Sequence, residues 1–142
     1  MRKGKGGETN YMAKLYCQVT GIVLLVLGVL GVLGLILVGS RGFPIPNLLS
    51  VNEPAEIVLH FLTGALASYA GFSGGGYGRL AVLYAQVFGI VYLLLTVIGF
   101  IQPDLPLGIH FDLGCNLAHL ILGLWGIYAG FFARAPGAAP AT

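Results

Sequence analysis

Charge is what this chain has least of. Only 8% of its 142 residues are Asp, Glu, Lys or Arg, where a soluble domain carries roughly a quarter. Mean hydropathy is +0.90. So few charges cannot cover a water-exposed globule, and the composition belongs to a bilayer. A net charge of +2 is too small, and too unevenly placed, for nucleic acid. Cysteine is nearly absent, and the spacing of Cys17 and Cys115 matches no zinc signature. There is no phosphate-cradling loop, dinucleotide fingerprint or nucleophile–base constellation, which points away from an enzyme. No ionisable side chain falls in the middle of an apolar stretch, which argues against a proton pump or ion-coupled carrier.

What the chain has instead is apolar sequence, 57% of it, and 23 glycines lying mostly inside the apolar runs. Four stretches stand out, and lipid leaves helices as the only way to satisfy their backbones. They predict helices over about residues 15–38, 54–72, 80–101 and 114–132. Each is long enough, or nearly so, for a bilayer core of about 30 Å. The expected fold is an all-α bundle of four transmembrane helices over residues 13–132. Residues 1–12 and 133–142 read as unstructured cytoplasmic tails, and Met12 offers an alternative start. The first run is too long for a secretory signal, and no small-residue cleavage site follows it.

The chain also repeats itself. From Ala13/Ala81 to Gly31/Gly99, 12 of 19 aligned residues are identical, Tyr16/Tyr84 and Gln18/Gln86 among them. The segment from His60 to Phe72 is echoed from His119 to Phe131. The unit is therefore a helix hairpin, and two tandem hairpins of like orientation build the bundle. The offset is 68 residues for the first helices and 59 for the second, so the first connection carries nine extra residues. Cys17 and Cys115 have no counterparts, since Ala85 and Glu56 stand in their places, and opposite faces make a disulfide between them an unexpected pairing.

Six of the seven basic residues fall on one side of the expected bundle and only Arg41 on the other, together with Glu53, Glu56, Asp104 and Asp112. Positive charge stays inside, so both termini are expected in the cytoplasm of a bacterial inner (plasma) or thylakoid membrane.

Few polar residues remain to carry chemistry. His60 and His119 head the returning helices. His60, Gly64, Ala67 and Gly71 share one stripe, as do His119, Gly123, Gly126 and Gly130. Such stripes pack against another helix, with a polar residue bonding across. In that case each histidine meets Asn116, Glu56, a tyrosine or a loop carbonyl. A sharper alternative makes His60 and His119 axial ligands of a haem iron or chlorophyll magnesium inside the bundle. A third makes Glu56, His60, His110 and Asp112 a metal or proton site at the outer face. Asn52 and Asp112 are the expected helix N-caps. Gln18 and Gln86 read as interhelical glue, and Tyr16, Tyr84, Tyr69 and Tyr128 as an interfacial belt.

The run from Asn116 through His119 to Gly123, with its relative from Leu59 through His60 to Gly64, resembles a known family. Its members are small four-helix bacterial integral membrane proteins grouped as a domain of unknown function. The likeness spans about residues 13–132. It implies a four-helix membrane protein with histidine-headed second and fourth helices, and no established activity. Ile57 stands where the second unit has Asn116, so an Asn-x-x-His motif belongs to the second unit alone. The function expected from these features is that of a non-enzymatic membrane protein, an accessory or assembly subunit of a larger complex. Its partners are then the lipid bilayer and other membrane subunits or further copies of itself. The competing expectations are a tetrapyrrole carrier and a small transporter or channel-like oligomer.

Overall fold

Glycines would break a long helix in water, yet α1 runs unbroken over Tyr11–Val38 with four of them on its buried face, Gly21, Gly28, Gly31 and Gly34. With no water competing for backbone groups, the helical hydrogen bonds persist. Gly39, at φ +85°, stops the helix, its N–H donating to Leu35 O at 3.2 Å, a left-handed cap that glycine adopts without strain. The computed structural model describes residues 11–39, 43–46, 48–73 and 78–133. Among them α2 covers Pro54–Phe72, α3 Gly78–Ile101 and α4 Leu113–Ile127, the last continuing as a π-helical turn through Phe132. A short antiparallel pair, β1 (Pro44–Ile45) and β2 (Leu49–Ser50), folds the α1–α2 connection. All four helices are long and apolar enough to cross a membrane.

The all-α four-helix expectation holds. The starts differ slightly: α1 begins at Tyr11, so Tyr11 and Met12 are helical rather than part of the N-terminal tail. Polar residues flanking an apolar run can still be helical, and hydropathy alone does not register them. The remaining tail residues, 1–10 and 134–142, lie outside the described residues, as does Arg41.

Pairing is by hairpin, α1 with α2 and α3 with α4, with lighter contact between the two units. The small-residue stripes make this closeness available. A methyl group added at Gly71 would lie 2.7 Å from Gln18 N, and at Gly130 2.8 Å from Gln86 N. At Gly126 it would lie 2.8 Å from Gly89 Cα, and at Gly64 and Gly123 3.0 Å from the backbone N of Leu25 and Leu93. Ala67 is fully buried. The glutamines lock the same seams: Gln18 Nε2 donates to Gly71 O at 3.0 Å and Gln86 Nε2 to Gly130 O at 2.9 Å. These positions are equivalent in the sequence repeat, so the repeat recurs as contacts.

Near the end that carries the termini, the core is aromatic and alanine-rich. Tyr16 and Tyr84 are buried there among Ala13, Ala67, Ala70, Ala81, Ala85 and Ala129. The expectation of an interfacial belt is therefore corrected for these two. A tyrosine lying over the small side chains of a neighbouring helix fills the space they leave. Tyr69 and Tyr128 do face outward.

Candidate functional site

At the opposite end the hairpins separate and leave a cavity of about 260 Å3. Leu24 and Leu27 of α1, Leu59, His60 and Thr63 of α2, Tyr92 and Leu95 of α3, and His119 and Leu122 of α4 wall it. Leu49, Val51, Leu105, Ile109 and Phe111 of the two connections roof it. Below it, rings close the bundle. Phe88 stacks on Tyr84 at 4.2 Å, Tyr84 lies 6.3 Å from Tyr16, and Trp125 meets Tyr16 edge-on at 5.3 Å.

The roof is held by buried acids. Pro54 occupies the first turn of α2, which makes Glu53 its N-cap residue. Asp112 caps α4, its Oδ1 accepting from Cys115 N at 2.9 Å. Each acid also reaches across to the other hairpin. Asp112 Oδ2 accepts from Ser50 N at 2.5 Å, and Glu53 Oε2 accepts from His110 N at 2.9 Å. Glu53 and Asp112 are repeat-equivalent, 59 residues apart. Each carboxylate thus sits at the favourable end of a helix dipole and pins the connection of the other unit. Asn52, expected as a cap, instead bonds back to Gly39 O and accepts from Phe43 N at 3.4 Å. The proline displaces the cap by one residue. Gly114 lets the first connection descend onto α4, its N–H donating to Leu48 O at 2.6 Å.

His60 and His119 line this one cavity. His119 is fixed between Tyr92, stacked at 5.5 Å and 18°, and Phe111, edge-on at 5.4 Å. In both histidines Nδ1 is buried without a hydrogen-bond partner. The expected bond to Asn116, Glu56, a tyrosine or a carbonyl is thus not made, and that expectation is corrected. The stripe that each histidine heads turns its small residues to the neighbouring helix, which leaves the imidazole beside the cavity. A buried N–H without an acceptor is rarer than a buried acceptor without a donor. The proton of each ring is therefore assigned to Nε2.

The same observation bears on the metal and tetrapyrrole readings. A ligating histidine almost always donates its second ring nitrogen to a partner, which fixes the ring and raises its basicity. Neither His60 nor His119 has that partner. The cavity, about 260 Å3, is also smaller than the roughly 300–1,000 Å3 of drug-sized ligand sites. The residues do not fit a bound haem or chlorophyll. Of the proposed metal set, Glu56 is buried beside the cavity, its Oε1 3.6 Å from Cys115 Sγ. Asp112 is engaged as a cap, and the His110 ring turns outward to Asp104 at 2.8 Å. Among the described residues no three His, Cys, Asp or Glu side chains come together as a metal centre. Cys17 and Cys115 are both free and buried.

Sequence reasoning missed Glu53, Thr63, Tyr92 and Phe111 as parts of this region. Glu53 carried a signal, its alignment with Asp112 in the repeat. The aromatic pair carried none, because Tyr92 and Phe111 correspond to Leu24 and Asn52 in the first unit. No family model, curated protein or solved structure matches the chain. The resemblance drawn from the histidine-headed helices gains no support from those comparisons.

Proposed function

We propose that this is a non-enzymatic integral membrane protein that binds a small, mostly apolar molecule in the cavity between its hairpins. The observation that carries the proposal is the pair of repeat-equivalent histidines lining one mostly apolar cavity between the hairpins. Pockets of this make-up, apolar walls with a few convergent polar groups, are the usual form of small-molecule sites. A cavity of about 150 Å3 suffices for benzene, so one of about 260 Å3 takes one ring with substituents. Leu59 of α2 and Val91 of α3 line the cavity and also face outward, which provides a route from lipid. Distribution of basic residues orients the cavity toward the outer leaflet.

This reading is preferred to the accessory subunit because the glycine stripes on which that role rested meet helices of the same chain. It is preferred to a transporter because the Tyr16, Tyr84, Phe88 and Trp125 rings fill the bundle below the cavity. Ala118 lines the cavity, and Ala118→Phe fills it from within. Native mass spectrometry of the protein purified from its own membranes in mild detergent tests the proposal. The wild type is expected to carry a small molecule that Ala118→Phe lacks. Its absence from the wild type, or its retention by the variant, would count against the site.

A further inference from the structure

We infer that the molecule held in this cavity carries a cationic nitrogen on an apolar body, an organic ammonium that Glu56 recognises. The inference rests on the cavity being a ligand site, as proposed above, and adds the chemistry of what fills it.

Among the described residues Glu56 is the one acid in the cavity wall. It is 6% exposed, and a carboxylate taken so far out of water needs donors or a counter-charge. Its neighbours show what satisfied acids look like here. Glu53 accepts from His110 N, and Asp112 from Ser50 N and Cys115 N. Glu56 has only the Cys115 thiol, a weak donor, 3.6 Å from Oε1, while Oε2 has no donor among the described residues. No lysine or arginine of those residues lines the cavity, and the His110 ring turns away to Asp104. Glu53 and Asp112 stand close enough to add their negative field at Glu56. The outer end of the cavity is therefore negative, and what it lacks is a cation with an N–H to give.

The rest of the wall says what kind of cation. Among the described residues no three ligating side chains gather as a metal centre, which leaves an organic one. Phe88, Tyr92 and Phe111 line the same space, and a desolvated ammonium is attracted to aromatic faces. The leucines and Val91 of the wall take the apolar body. A phospholipid headgroup would bring a phosphate beside its ammonium, which the acids repel. A lipid-soluble amine brings none.

The test compares two molecules of one shape. N,N-Dimethylbenzylamine and isobutylbenzene differ by a protonated nitrogen in place of a carbon. Binding of each to the purified full chain in detergent is read from the concentration dependence of Tm, at matched free concentrations. Glu56→Gln keeps the size of the side chain and removes its charge. It is expected to weaken the amine at least roughly tenfold, the size of a charge-assisted contact, and to leave isobutylbenzene unchanged. In the wild type, the Glu56 carboxyl carbon resonance is expected to shift with the amine and not with the hydrocarbon. That measurement decides the matter even if the variant fails to fold. An amine that binds the variant as tightly, or a carboxyl that does not respond, overturns the assignment and leaves the ligand cavity standing. So does binding of isobutylbenzene alone, or an equal loss of both molecules in the variant. Phosphoethanolamine is expected to leave Tm unmoved, and stabilisation by it overturns the apolar body in favour of a headgroup. Binding of neither ring compound takes the cavity reading down as well.

Discussion

Two imidazole nitrogens without partners are the most telling atoms in this molecule. Buried polar atoms are nearly always hydrogen-bonded, and an exception calls for a reason. His60 and His119 have theirs at the same repeat position, among several such atoms in the bundle, and both rings line the cavity. The duplicated glutamines provide the contrast, because both are satisfied across their hairpin seams. Gln18→Leu and Gln86→Leu each are expected to lower stability by about 1 kcal/mol, measured by reversible unfolding in mixed micelles. A loss from only one of the two would show that the seams are not equivalent. Both roles were legible as duplicated letters, but not the difference between them. Whether a polar side chain finds a partner depends on which helix lies opposite, and a repeat does not state that.

Glycine placement decides the element scale. A side chain at Gly126 would press on Gly89 Cα at 2.8 Å and on Tyr16 Oη at 2.9 Å, and backbone cannot swing aside. Gly126→Ala is therefore expected to destabilise the α3–α4 hairpin by about 1–3 kcal/mol, seen as a lower Tm. The stripes at small-xxx-small spacing were visible in the sequence, and so was their packing role. Which partner they served was not, because a stripe looks the same whether it meets its own hairpin or another protein.

The caps show a second limit. Asp112 was recognisable beside the start of α4. Its reach to Ser50 N, and that of Glu53 to His110 N, joins residues 62 and 57 positions apart. No local pattern encodes such a bond. Removing one carboxylate strips a charge-assisted bond from a buried N–H. Asp112→Ala is expected to cost about 1.5–3 kcal/mol and Glu53→Ala a similar amount, and hydrogen exchange should quicken at Ser50 in the first variant and at His110 in the second. Unchanged exchange at those amides would refute the cross-hairpin clamp.

At the scale of the whole molecule, composition and repeat were enough for the fold, and charge for an expected orientation. Leu107 lies exposed at the tip of the α3–α4 connection and Ser73 at the end of α2. In a background without Cys17 and Cys115, a membrane-impermeant maleimide applied to intact cells is expected to label Leu107→Cys and spare Ser73→Cys. The reverse pattern would invert the topology. The cavity was not legible at all. It arises where two hairpins that pack closely within themselves meet less closely with each other, and its walls come from every helix. Its histidines and Glu56 were visible beforehand as polar residues, but not that they share one cavity.

The central claim is that both histidines face one bound molecule. Intermolecular nuclear Overhauser effects, recorded on labelled protein isolated with its native content, test it most directly. The imidazole ring protons of His60 and His119 are predicted to show cross-peaks to protons of one and the same small molecule, and Ala118→Phe to abolish both sets together. Ring protons that see only protein and detergent, unchanged by that substitution, would contradict the account.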